Sequence, residues 1–177
     1  MERLILSIDP SVRELGFAAL QISPDKSRQW WWGLIKPEGD NYVAKLFDIC
    51  EMLIQFLPIP LDSDHIELVT EWPQFFNNAR GHTAAVQGDT LLLAGVNAFI
   101  IGYFQLRKTT LRTAVEWKGS VPKQVTIRRF LKRFDQKWHD LNHNIVDAIM
   151  ILHDHCIRNN YIPDTHDLTG DTCTLLT

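Results

Sequence analysis

An acid closes the first apolar run of the chain, and that placement limits what the chain can build. In LILSIDPSVRELGFAAL, residues 4 to 20, the run Leu4 to Ile8 stops at Asp9 and apolar residues resume at Leu15 after a turn. A short apolar run bounded by Pro10 and Ser11 reads as a buried strand. The pattern recurs: in IELVTEWPQFF the apolar stretch ends in Glu71, with Pro73 just beyond, and NIVDAIMIL places Asp147 inside a segment apolar nearly all round. An ionised carboxylate in apolar surroundings must be paired, hydrogen-bonded or bound to metal. Each acid alone has a plain alternative: a turn cap for Asp9, a salt bridge for Glu71, a dipole contact near a helix start for Asp147. Three converging carboxylates repel unless a cation neutralises them, and Mg²⁺, a hard ion that takes oxygen ligands, is the expected candidate.

The surrounding pattern predicts a mixed sheet. Leu15 to Ile22 and Trp30 to Ile35 read as second and third strands, with a turn over 23–28. Tyr42 to Leu57 carries Val43, Leu46, Phe47, Cys50, Leu53, Ile54 and Leu57, the spacing of an amphipathic helix, with Pro58 and Pro60 to end it. After the strand ending in Glu71, residues 74–90 read as a loop leading to a helix over about 90–105. Thr109 to Val115 is expected as a strand, 117–122 as a loop, and 123–134 and 144–158 as helices, the last buried. The order β-β-β-α-β-α-β-α-α predicts three antiparallel strands, then strands separated by helices, hence a mixed sheet with helices on its faces. One domain is expected over 1–158. Residues 159–177, rich in turn-formers and acids, are expected to be irregular. The Trp30-Trp31-Trp32 run is expected to pack in the sheet, since alternate strand residues must bury one face.

Bulk properties narrow the class. The chain has 177 residues, enough for one domain with a real core. No apolar run reaches the ~18 residues of a membrane span, and MERLILSID lacks a signal-peptide layout, so a cytoplasmic protein is expected. Cys50, Cys156 and Cys173 are odd in number and widely spaced, which reads as reduced thiols. His153 and Cys156 have no second ligand pair at zinc spacing. Net charge is −3, yet nine basic residues and one acid lie between Arg107 and Arg133, half of all lysines and arginines. That stripe, including Arg112, Lys118, Lys123, Arg128, Arg129 and Lys132, is the footprint expected for phosphate binding; its plain reading is a solvated helix face.

SIDPSVRELGFAAL, VTEWPQFF and HNIVDAIMI, taken in order, resemble the signature segments of Holliday junction resolvases of the RuvC type, in the ribonuclease-H-like superfamily. WKGSVPKQV is similar to that family's lysine-bearing loop. The likeness runs from about residue 4 to 158, and the EWPQFF wording is more similar to a phage or divergent branch. It implies an RNase-H-like α/β fold with a five-stranded mixed sheet and a homodimer acting on four-way DNA junctions. The host compartment implied is the cytoplasm of a bacterium or of a phage-infected cell. It also implies a pair of Mg²⁺ ions, Mn²⁺ being possible, held by Asp9, Glu71 and Asp147, leaving 5′-phosphate and 3′-hydroxyl ends. The family's fourth ligand, one turn before the last aspartate, falls here on Asn144 or His143, both on the face of Asp147, with Asp140 a further candidate. This is where the chain departs from the pattern. Lys123 matches the family lysine, Arg112 another basic position, and Phe75 or Phe76 an aromatic that intrudes at the junction centre. A branched-DNA endonuclease of looser choice, cutting forks and flaps, is the alternative.

Overall fold

Six strands form one sheet, and the first of them lies inside it. The computed structural model describes residues 3–57, 65–74, 88–119, 121–134, 140–165 and 171–176; of Lys123 and Arg133 it describes the backbone. β1 (Arg3–Asp9) is buried from Leu4 to Ile8. β2 (Leu15–Ile22) returns antiparallel with Gly16 opposite Asp9, and β3 (Arg28–Ile35) follows antiparallel. On the other side of β1, β4 (Ile66–Glu71) and β5 (Lys108–Arg112) add in parallel. β6 (Thr172–Leu176) pairs parallel to β3, giving the order β5-β4-β1-β2-β3-β6.

Period-two alternation sends each strand's side chains into two separate cores. Leu4, Leu6 and Ile8 of β1 pack with Ile49 and Leu53 of α1 (Tyr42–Phe56) and with Val96 and Ile100 of α2 (Asp89–Tyr103). Ile5, on the opposite face, packs with Phe130 of α4 (Lys123–Arg133) and with Ile145 and Ile149 of α5 (His143–Arg158). The tryptophan run divides the same way: Trp31 enters the first core, Trp30 and Trp32 the second, and all three are buried. Base stacking by that run is thereby excluded.

Several expectations are corrected. The sheet has six strands, not five, because part of the tail is not irregular: residues 172–176 extend along β3, where Asp171 accepts a hydrogen bond from Trp30 Nε1 at 2.7 Å. The strand expected over 109–115 runs instead from Lys108 to Arg112, since Thr113 caps a short helix, α3 (Ala114–Lys118), in a reciprocal pair with Glu116. That helix takes up the first part of the loop expected at 117–122. β3 also begins two residues earlier than its aromatic run. Pro58, Pro60 and residues 75–87 lie outside the described residues. Among the described residues, no helix is long and apolar enough to cross a membrane.

Candidate active site

Alternation along two neighbouring parallel strands places two acids on one face at one end of the sheet. In β1, Ile5 and Ser7 face α5, and Asp9 follows in the same phase. In β4, Glu67 and Val69 face α5, and Glu71 follows likewise. Ile8 stands opposite Thr70 in the ladder, so Asp9 and Glu71 come next to each other on strands about 5 Å apart. α5 lays Asp147, itself buried, across that end.

Three features hold α5 there. Ser7 Oγ donates to the Ala148 carbonyl at 2.6 Å, one residue from Asp147. Gly16, opposite Asp9, lets the helix start touch the sheet backbone: a Cβ at this position would stand 2.1 Å from the Asn144 carbonyl oxygen. Asn142 caps the helix by accepting from the Asn144 N–H, while Asn144 Nδ2 donates to the Glu14 carbonyl at 2.6 Å. Asn144, expected as a possible ligand, thus commits its amide N–H to the turn that follows Asp9. His143 lies one turn before Asp147 on the same helix. Asp140 is exposed ahead of that helix.

The Glu71 end of β4 is fixed from the opposite face. Asn97, buried in α2, donates to the Glu71 carbonyl at 2.9 Å and accepts from Thr70 Oγ1 at 2.8 Å. Thr70 Oγ1 also reaches the Ile8 carbonyl at 3.2 Å. The buried amide therefore fixes the Glu71 end of β4, and the single Thr70 hydroxyl proton goes either to it or to the Ile8 carbonyl of β1.

A cation stands between two of the acids. Lys118 Nζ lies 3.6 Å from Glu71 Oε2 and 3.8 Å from Asp147 Oδ2, with the two carboxylate side chains 23% and 11% exposed. Trp117 Nε1 donates to the same Glu71 oxygen at 2.8 Å, and the Lys118 ammonium sits 4.6 Å from the Trp117 ring centroid. Lys118, expected among the DNA-contacting bases, instead points into the acids. Trp117 was not singled out in the sequence, although its place beside Lys118 in WKGS was the available signal.

The rest of the basic stripe divides. Arg128, Arg129 and Lys132 are exposed on α4. Arg112 is the ladder partner of Glu71, and its Nε is buried with no hydrogen-bond partner among the described residues. Lys108 is drawn away toward Glu67, 3.4 Å distant. The Lys123 side chain and Phe75 and Phe76 lie outside what the structure describes.

Oxygen donors from two elements converging on one ammonium make a place suited to a hard divalent cation. Among the described residues, no group of three or more His, Cys, Asp or Glu is arranged to hold a metal. The fit therefore rests on the stand-in cation and on the register that brings Asp9 to the same end.

A second polar cluster lies further back on the same face. Glu67, buried, accepts from His155 Nε2 at 2.8 Å and from Tyr161 OH at 3.0 Å. Burial pushes the Glu67 carboxyl up, but hydrogen bonds from His155 and Tyr161, with the nearby charges, hold it below its ordinary value. Burial also holds His155 below its ordinary value, against the pull of Glu67. Neutral His155 donating to ionised Glu67 satisfies both.

No family model and no curated protein matches the sequence. Solved structures do. The Thermus thermophilus RuvC in complex with Holliday junction substrate superposes with a TM-score of 0.61 at 11% identity, over 89% of this chain and 96% of that one. A second Thermus thermophilus RuvC structure gives 0.56 at 12% identity, with the same coverage. The yeast mitochondrial Holliday junction resolvase Ydc2 gives 0.51 at 9% identity, over 88% of this chain and 83% of that one. The chain has a RuvC-like α/β fold.

Proposed function

We propose that this chain is a divalent-metal-dependent endonuclease that resolves four-way DNA junctions as a homodimer, by paired nicks leaving 5′-phosphate and 3′-hydroxyl ends. The observation that carries the reading is the sharing of one cation by Glu71 and Asp147, at the sheet end where β1 delivers Asp9, on a RuvC-like fold. Asp9, Glu71 and Asp147 would hold two Mg²⁺ or Mn²⁺ ions, which when bound activate a water and stabilise the leaving oxygen. His143 and Asn144 are both candidates for the fourth donor, since the amide N–H that Asn144 gives to the Glu14 carbonyl leaves its ligating oxygen, Oδ1, out of that bond.

The remaining roles belong to the chain's own side chains. Trp117 and Asn97 hold Glu71 from the side chain and from the backbone, so its carboxylate keeps one position. Arg112, Arg128, Arg129 and Lys132, with Lys123 at the start of α4, would bind DNA phosphates and position the strands without reading sequence. Phe75 or Phe76, after β4, would stack on unpaired bases at the junction centre. Two symmetric cuts need two sites. The outer surface of α1 and α2, where Leu91 is 68%, Phe47 45% and Tyr103 40% exposed, offers an apolar face for a second copy.

Cleavage of a panel of branched DNAs, with cut sites mapped in Mg²⁺ and in Mn²⁺, tests the reading. Paired symmetric nicks in four-way junctions are expected, lost in Asp9→Asn while binding survives. Equal cutting of forks, flaps and junctions would replace the resolvase reading with the looser branched-DNA endonuclease. Undiminished cutting by Asp9→Asn would remove the site assignment.

A further inference from the structure

A cavity of about 460 Å³ opens beside the acids, along the flank of α5. It falls within the roughly 300–1,000 Å³ of small-molecule sites. Its wall includes Trp117, the residue that donates to Glu71, so cavity and acids share a side chain. Met150, His153, Asp154 and Ile157 of α5 line it together with Asp164, and Arg129 and Lys132, three residues apart and exposed on α4, stand at its rim. Met150 and Asp154 lie roughly 5 and 10 Å along the helix axis from Asp147, at about 1.5 Å per residue.

The chemistry of this lining selects its occupant. Trp117 is fixed through its indole N–H, and Lys118 approaches its ring, so it is a rigid aromatic wall. Asp154 is held in place by Arg158 at 2.7 Å. A fixed carboxylate in the wall disfavours a phosphate deep in the cavity and leaves the anion to the cationic rim. An aromatic face, a methionine and fixed polar groups suit a neutral heteroaromatic ring with its own donors and acceptors.

We infer that this cavity takes one unstacked nucleobase flanking the scissile phosphate, with Arg129 and Lys132 on that nucleotide's backbone, and so sets the base preference of the cut. The inference rests on the endonuclease reading above and extends it to a specificity site. At a stacked rise of roughly 3.4 Å per nucleotide, the cavity reaches one to three nucleotides from the acids.

The experiment pairs substrate and protein changes. Four-way junctions carry a single abasic nucleotide at one of the three positions on either side of the mapped cut. They are cleaved by the wild type and by Met150→Trp and Ile157→Trp, which fill the cavity. Circular dichroism checks folding, and the milder Met150→Phe and Ile157→Phe replace a variant that does not fold. One abasic position is expected to slow the wild type by roughly five- to a hundredfold, the range of one lost base–aromatic stack. The filled variants are expected to cut intact junctions slowly and to be indifferent to that abasic position. Wild-type indifference at every position overturns the inference, as does equal slowing at all positions or an undiminished abasic effect in the filled variants. A wild type that cuts no branched DNA overturns the endonuclease reading itself, an outcome distinct from cutting without base dependence.

Discussion

Replacing Lys118 with methionine keeps a straight, helix-compatible side chain and removes the one charge that Glu71 and Asp147 share among the described residues. Each contact, at 3.6 and 3.8 Å, has a gross attraction of about 4 kcal/mol at an effective dielectric of ~20. Desolvation of the three groups and the ordering of a lysine stem, itself about 2 kcal/mol, cancel most of this. The side chains are about a quarter exposed or less, so the net effect lies between a surface pair and a buried one. We expect Lys118→Met to lose about 2 kcal/mol in EDTA, a fall of roughly 4–8 °C in Tm for a chain of this size. A divalent ion stabilises the folded state by mass action at the acids it binds, and in the variant it no longer competes with an ammonium. Thermal unfolding with and without saturating Mg²⁺ should therefore show a larger metal-induced rise in Lys118→Met than in the wild type. An unchanged Tm in EDTA, or the same metal-induced rise in both proteins, would refute the reasoning.

Gly16→Ala places a methyl 2.1 Å from the Asn144 carbonyl oxygen, so it should cost roughly 3 kcal/mol in urea unfolding and depress cleavage by displacing the start of α5. Asp171→Ala deprives the buried Trp30 indole of an acceptor and should cost about 1–3 kcal/mol, read by denaturant unfolding. Stability should fall on acidification in two stages. His155 is held below 6.5, so below that pH the unfolded chain binds a proton that the native chain refuses. Glu67 is held below 4.5 and adds the same loss at lower pH. Unfolding free energies measured from pH 7 to pH 3 should show both limbs, and Glu67→Gln should remove the lower contribution.

What was legible in the sequence was whatever depends on local pattern. β1 and β4, with Asp9 and Glu71 at their ends, announce themselves because apolar strands ending in acids are locally anomalous. Asp147 announces itself for the same reason within a buried helix. β6 was not legible: TCTLL is strand only because β3 offers an open edge and Asp171 meets Trp30, contacts between residues far apart in sequence. Lys118 was read as a surface charge because it sits in a basic stretch, and composition does not say which member of such a stretch turns inward. Asn97 and Ser7 carried a signal, each a polar residue within an apolar segment, but their partners, Glu71 and Ala148, are set by the packing of α2 and α5 on the sheet.

The bond from Ser7 to Ala148 has a consequence in time. With β1 tied to α5 beside Asp147, and the Glu71 carbonyl tied to α2, the carriers of the acids do not separate without breaking buried hydrogen bonds. Such openings belong to the microsecond and slower range, whereas a rotamer change of the lysine stem leaves those buried bonds intact. In the proposed nuclease, exchange of the ammonium for a divalent cation would therefore need a side-chain flip over a stationary backbone. Under the proposed function, loading of the site would require neither bending of the sheet nor lifting of the helix.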